Sequence, residues 1–342
     1  MVAMPEPRRR ATPRFLAAAI VVALALVPLV AGSFALASPP GGAPAAHPTK
    51  KPHPTATPTT APTPTTAPTP TMAPTVAPPV LPNFGHVFVI LMENEESTAI
   101  IGNSAAPYIN GLASTNGLAT NYTAVAHPSE PNYFALWSGS TQGVADDAVY
   151  NFTSLNSTIA DQVETAGKSW HVAAENVPLP CSTAATASGG PDGTGSYARK
   201  HEPAISWTSV SGNATRCARI TDFSHFDANL GNYWFIVPNL CHDMHDCSIA
   251  TGDAFLSGFM PRILTSAAFA DSVVFLTWDE GTTATGGGGK IVTIVISPYG
   301  KAAFTSSTAH THYSLLQTIE TAWSLPCLAN ACAANDLREF FK

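Results

Sequence analysis

Two observations predict an α/β sandwich with a mostly parallel central sheet and helices on both faces. Short, continuous apolar runs recur along residues 83–342, and segments with helical spacing of apolar residues separate them. A strand covered on both faces reads as an uninterrupted apolar run, and strands that alternate with helices assemble into parallel sheets.

At the N-terminus, Arg8, Arg9, Arg10 and Arg14 precede an apolar run from Phe15 to Val30, and Ala35-Leu36-Ala37 stands before Ser38. That is the three-part pattern of a secretory signal, so residues 1–37 are expected to be a signal peptide, with a retained signal anchor as the alternative. Residues 38–82 are almost entirely Pro, Thr and Ala, with repeats such as APTPTTAPTPT, and have no periodic apolar face. They read as a disordered, polyproline-like stalk. Residues 83–342 are expected to hold the globular domain and its chemistry, outside the cell or tethered to its surface.

Strands are predicted at His86–Met92, Trp170–Ala174, Tyr233–Val237, Val273–Trp278 and Ile291–Ser297, and helices at Ala106–Leu112, Tyr133–Trp137, Ile159–Ala166, Phe255–Leu264 and Tyr313–Trp323. The run Gly286–Gly289 before Lys290 resembles a phosphate loop only superficially. Ala284 and Ile291 stand where such a loop needs Gly and Ser or Thr, so a flexible surface loop is expected.

Of the 16 Lys/Arg and 23 Asp/Glu in the chain, residues 1–82 hold six and one, which leaves ten and 22 and a net charge of −12 in the globular part. An acidic surface argues against nucleic acid or an anionic membrane as an electrostatically recruited partner. All six cysteines lie in the part expected to be exported, which favours disulfides, and nearest-neighbour pairing gives Cys181–Cys217, Cys241–Cys247 and Cys327–Cys332.

Ligands of open parallel sheets bind outside the carboxyl ends of the strands. There the sequence delivers Glu93 and Asn94 after the first strand, Asn239, His242, Asp243, His245 and Asp246 after the third, and Asp279 and Glu280 after the fourth. Any one such acid is commonly a solvated strand end. Three sets converging on one edge repel one another unless a divalent cation neutralises them, and oxygen donors with some imidazole suit a hard or borderline metal.

Ser129, in His127-Pro128-Ser129-Glu130-Pro131-Asn132-Tyr133, falls at or just before a helix N-terminus, with Pro131 in the first turn. Capping the helix is its plain structural role. The same position offers a hydroxyl where backbone N–H groups favour a phosphate. No Gly-x-Ser-x-Gly elbow surrounds it, so activation by a metal is favoured over an acyl-transfer triad.

The stretches MEN, IIGNSAAPYINGLA, HPSEPNYFALWSG, YARKH, PNLCHDMHDCSIATGDAFL, TWDEG and HYSLLQTIE resemble, in order, the secreted bacterial acid phosphatase and phospholipase C type of phosphoesterase, within the alkaline phosphatase superfamily. The resemblance runs from about Phe84 to Leu325. It implies an alkaline-phosphatase-like sandwich and hydrolysis of a phosphate monoester through a phosphoserine on Ser129, with phosphoinositides such as phosphatidylinositol 3-phosphate or other organic phosphates as substrates. Glu93, Asn94, Ser129, Asp279 and Glu280 match the metal ligands, with one ion preferred over two. Asn132 matches a phosphate-oxygen donor. Asp243, His245 and His312 match residues that bind a second metal or contact the phosphate and leaving group, and His201 with Lys200 or Arg199 is expected to contact substrate. Glu95 stands where relatives often have Arg. His127, His171, His225, His242 and His310 are expected to be structural or solvated.

The resemblance leaves two alternatives. A phosphodiesterase or phospholipase C would use the same nucleophile and metal, and ranks second because the chain lacks the long C-terminal extension of the larger phospholipases. A non-catalytic surface binding module ranks third, because every carried-over position is filled. No stable protein partner is implied.

Overall fold

The sheet grows outward from β1 (His86–Met92), in which every residue after His86 is buried, as a strand covered on both faces requires. In this computed structural model residues 80–342 are described, apart from 154–156 and 190–194. They belong to one unit, Met72–Lys342. The expected signal segment, and the expected stalk up to residue 79, lie outside the described residues.

The other strands of the main sheet are β2 (Gly117–Ala119), β3 (Trp170–Ala174), β4 (Ile220–Thr221), β5 (Tyr233–Val237), β6 (Ser272–Trp278), β7 (Thr293–Ile296) and β8 (Phe304–Ser306). Their order is β8-β2-β7-β6-β1-β5-β3-β4. Seven run in one direction, and β7 alone is antiparallel to both its neighbours. All five predicted strands are present. The last begins two residues late, because the Ile291 N–H bonds to the Tyr122 carbonyl instead of joining the ladder. Sequence reading misses β2, β4 and β8, two or three residues each and near the rims of the sheet, too short for any periodicity to register.

The five predicted helices are α1 (Pro107–Thr115), α2 (Glu130–Ser138), α3 (Ile159–Thr165), α4 (Ile249–Phe259) and α5 (His312–Ala322). They form two groups, α2 with α3 and α5, and α1 with α4. Pro261 cannot extend α4, so the segment expected at Phe255–Leu264 divides into the end of α4 and a separate turn, Pro261–Leu264. Every residue of α2 is buried, and the helix stops at Gly139, whose φ of 70° is the left-handed cap that glycine tolerates best. The helix that follows Ser129 is therefore part of the core.

The disulfides are Cys181–Cys217, Cys241–Cys247 and Cys327–Cys332, the nearest-neighbour pairs expected. The second closes a tight loop around Asp243 and His245 directly after β5. Among the described residues no helix is long and apolar enough to cross a membrane.

Candidate active site

Strand register brings the acids together. In the sheet β1 lies between β5 and β6, and Met92 pairs with Trp278, so Glu93 and Asp279 leave adjacent strands side by side. Backbone hydrogen bonds lock the exit: Asp279 N–H donates to the Met92 carbonyl at 2.8 Å, and Glu93 N–H to the Asp243 carbonyl at 2.9 Å. Asn94 N–H donates to Asp279 Oδ1 at 3.1 Å. Two non-glycine residues here hold left-handed backbone, Asn94 (φ 54°) and Met244 (φ 86°). Asparagine tolerates that conformation, whereas for methionine it is strained, and such strain concentrates at functional sites.

Ser129 is the N-cap of α2 by position, yet its side chain makes no capping bond. Its Oγ lies 3.1 Å from Glu93 Oε2 and 3.3 Å from Glu280 Oε1, and the residue is 1% exposed. Helix capping, the plain reading of a serine here, is thus not what the hydroxyl does. Tyr133, one turn along α2, donates its hydroxyl to Glu93 Oε1 and stacks on His201 with ring centroids 5.0 Å apart.

His201 stands between two acids, with Nε2 3.1 Å from Glu93 Oε1 and Nδ1 3.5 Å from Asp243 Oδ2. Neither approach is a well-directed hydrogen bond for His201 Nε2 or Asp243 Oδ2, and Asp279 Oδ2 also lacks a protein partner. Glu93, His201 and Asp243 present donor atoms within 4.8 Å of one another, all buried.

The electrostatics match that geometry. Burial, together with the neighbouring Asp279 and Asp243, holds the Glu93 carboxyl well above its ordinary range. Burial raises Asp243 well above its range too, and burial with the adjacent Glu280 lifts Asp279 to about 7. His201 is held well below its ordinary value by burial and by the nearby Lys200 charge. Buried acids that raise one another, beside a neutral imidazole and unpartnered oxygens, are a donor set that fits a divalent cation. Lys200 alone does not supply that charge, since its Nζ is 2.8 Å from Asp147.

The remaining expected residues divide. Glu280 splits its carboxylate between Ser129 and His127, whose Nδ1 lies 2.6 Å from Oε2. Asn94 donates its side-chain amide to Glu93 Oε2 at 3.1 Å. His245 is at the partly exposed rim, its Nδ1 2.7 Å from Asp246 and its ring 5.8 Å from that of His201.

Two expected site residues are bonded to backbone in this structure. Asn132 is engaged by the loop before it: its Oδ1 accepts from the Val125 and Ala126 N–H groups, and its Nδ2 donates to the Ala126 carbonyl. Its amide thus ties the loop before Ser129 to the first turn of α2. His312, the first residue of α5, donates from Nε2 to the Asp279 carbonyl at 2.6 Å, and burial holds it down at about 4. A neutral imidazole thus bridges the start of α5 to the backbone of Asp279.

His127 and Tyr133 are the residues that sequence reading misses. The signal for both was their place beside Ser129, two residues before it and one helical turn after it. His171, His242 and His310 stack on or pair with Trp234, Glu175 and Glu339, as structural histidines do.

Residues 88–326 match the family model described as the Phosphoesterase family. The chain is 33% identical over 256 residues to the phosphatidylinositol-3-phosphatase of Mycobacterium tuberculosis, covering 73% of this chain and 81% of the relative. It is 32% identical over 264 residues to an acid phosphatase of Aspergillus fumigatus, covering 74% of this chain and 58% of the longer fungal protein. Among solved structures, the lipoteichoic acid synthase LtaP of Listeria monocytogenes superposes with a TM-score of 0.52 at 8% identity, over 76% of this chain and 77% of that one, a likeness of fold alone. With its mostly parallel α/β sandwich and its acids gathered at the sheet edge around a serine, the chain belongs to the Phosphoesterase family and is a phosphoric ester hydrolase.

Proposed function

We propose that the protein is a secreted, metal-dependent phosphomonoesterase that works through a phosphoserine on Ser129. The observation that carries the reading is the Ser129 hydroxyl, which leaves the helix end uncapped and faces two buried carboxylates. Glu93, Asn94, Asp279 and Glu280 would hold a single divalent ion, with His201 and Asp243 as further donors on the far side of Glu93. When bound, the ion supplies positive charge that lowers the pKa of a nearby hydroxyl and offsets the charge of the phosphoryl oxygens.

Ser129 Oγ attacks phosphorus in line with the leaving oxygen. Its proton passes to the carboxylate of Glu93 or Glu280, the Oγ–P bond forms, the bond from phosphorus to the leaving oxygen breaks, and that oxygen takes up the proton and departs as the alcohol. Water then attacks the phosphoserine, releases inorganic phosphate and restores the hydroxyl. His245 and Lys200, at the rim, are the side chains best placed to meet the ester, and His312 keeps Asp279 in register. Similarity to the mycobacterial phosphatidylinositol-3-phosphatase supports a phosphoinositide or a related organic phosphate as the substrate. The three disulfides support export to an oxidising compartment.

The test is Ser129→Ala assayed on p-nitrophenyl phosphate and on its bis-ester. Complete loss of turnover with an unchanged melting profile, together with a phosphoserine trapped by acid quench in the parent, is the expected result. Near-normal hydrolysis by the variant rejects the nucleophile, and a preference for the bis-ester replaces the monoesterase with a diesterase.

A further inference from the structure

The glycine run that reads from sequence as a flexible surface loop is packed against the segment leading into Ser129. A Cβ on Gly286 would lie 2.6 Å from the Cβ of Thr123, one on Gly287 2.5 Å from the Val125 carbonyl oxygen, and one on Gly288 would overlap the Ala126 carbonyl oxygen. Backbone approaches this close leave no space for a side chain. The loop is also bonded in place: Ala124 N–H donates to the Gly289 carbonyl at 3.0 Å, and Gly281 N–H to the Gly288 carbonyl at 2.7 Å.

Glu96 closes the loop. Its carboxylate accepts the N–H of Thr283 at 3.0 Å and that of Lys290 at 3.1 Å, one near each end. A carboxylate that takes two backbone N–H groups is a firm anchor, because both bonds are charge-assisted. From the anchored loop, the Thr283 carbonyl accepts from His127 Nε2 at 2.6 Å. The other ring nitrogen meets Glu280 Oε2 at 2.6 Å, and Glu280 Oε1 faces Ser129 Oγ at 3.3 Å.

We propose that residues 281–290 form a strap, closed by Glu96, that grips His127 and through it sets the Glu280 carboxylate against Ser129. His127 and Glu96 are therefore positioning residues of the reaction. The inference rests on Ser129 being the nucleophile. His127 touches no reacting atom, since its contacts are the strap and the far oxygen of Glu280. Without it Glu280 loses one of its two side-chain hydrogen bonds, and misplacing a reacting group by about 1 Å costs on the order of 100-fold in rate. Partners that orient a site's primary side chains carry similar weight, about 10–100-fold.

The experiment compares the full chain with His127→Gly on p-nitrophenyl phosphate, with and without added imidazole. The expected result is a kcat lower by about 10–100-fold, with KM changed by less than about threefold, and recovery of at least about fivefold with imidazole. The His127 side chain is one-third exposed, so a free imidazole has access to its place. A wild-type kcat, or a loss that imidazole does not restore, overturns the proposal. Glu96→Gln gives a second test that leaves the site's own residues untouched: faster hydrogen exchange at the Thr283 and Lys290 amides with a lower kcat is expected. Wild-type kcat in that variant overturns the strap, whatever the exchange. Near-normal turnover in Ser129→Ala instead breaks the nucleophile reading, so the two failures are separate.

Discussion

Two acid-rich regions of the molecule use the same residue types to opposite effect. In the first, Arg216 bonds to both Asp161 and Glu164, and Arg219 Nη1 reaches Glu164 at 2.7 Å. Burial pushes both acids up, but the Arg216 hydrogen bonds, together with those from Thr158 to Asp161 and from Trp170 to Glu164 and the arginine charge, outweigh it and leave each below its ordinary value. In the second, Glu93, Asp243 and Asp279 face one another at the sheet edge, and burial leaves all three raised. An acid held low adds stability that is present above its unfolded pKa and is lost on acidification. An acid held high loses stability as pH rises towards its folded pKa. The Arg216 network thus supports the fold, while the strand-end cluster works against it until a cation is added.

Chelation is the strongest way to break the comparison. Exhaustive removal of divalent ions is expected to lower p-nitrophenyl phosphate hydrolysis by at least about 1,000-fold, the several kcal/mol that metal catalysis supplies, with recovery on adding a divalent ion. Full activity after chelation would mean that the two regions do not differ in the way described. A measured stoichiometry of one ion per chain would sharpen the site.

Stability separates the regions next. In the chelated protein, Asp243→Asn removes a carboxylate with an unpartnered oxygen, and is expected to raise the urea-unfolding free energy by about 1–2 kcal/mol, as relief of a functional compromise commonly does. The same change should lower activity. Arg216→Ala should move stability the other way, by about 1 kcal/mol given the partial exposure of the network, with hydrolysis unchanged. Loss of stability in both variants would equate the two regions.

The active-site half of this comparison was legible in the sequence because strand ends are legible. Glu93, Asp243 and Asp279 each come after a continuous apolar run, and adjacent parallel strands carry the residues at their carboxyl ends to one edge. The sequence does not carry side-chain direction. Asn132 lies three residues from Ser129, yet its amide turns back to Val125 and Ala126, and His312 spends Nε2 on a carbonyl. The strap was hidden for a related reason: four glycines read as freedom, and only their neighbours reveal that they are there for close approach. The Arg216 network is equally invisible beforehand, since it joins α3 to residues more than 50 positions later.

Glu320 supplies an intermediate case. It is a buried acid of α5 with neither an arginine nor other carboxylates against it, and its Oε1 accepts the Leu328 N–H at 2.8 Å. Burial raises it to about 8 from an ordinary 4.5. Its contribution to stability is therefore complete below pH 4.5, declines as pH rises and the unfolded chain ionises first, and is lost once pH passes 8. Glu320→Gln keeps an acceptor for Leu328 and removes the titration. With metal present, so that the strand-end acids stay neutralised, the wild type should lose on the order of a few kcal/mol more than the variant between about pH 5 and 8 in urea unfolding. Parallel pH profiles would show that Glu320 is ionised in the fold. Burial alone would then be too weak to hold an acid up here, and the mutual repulsion among Glu93, Asp243 and Asp279 would have to carry their shift.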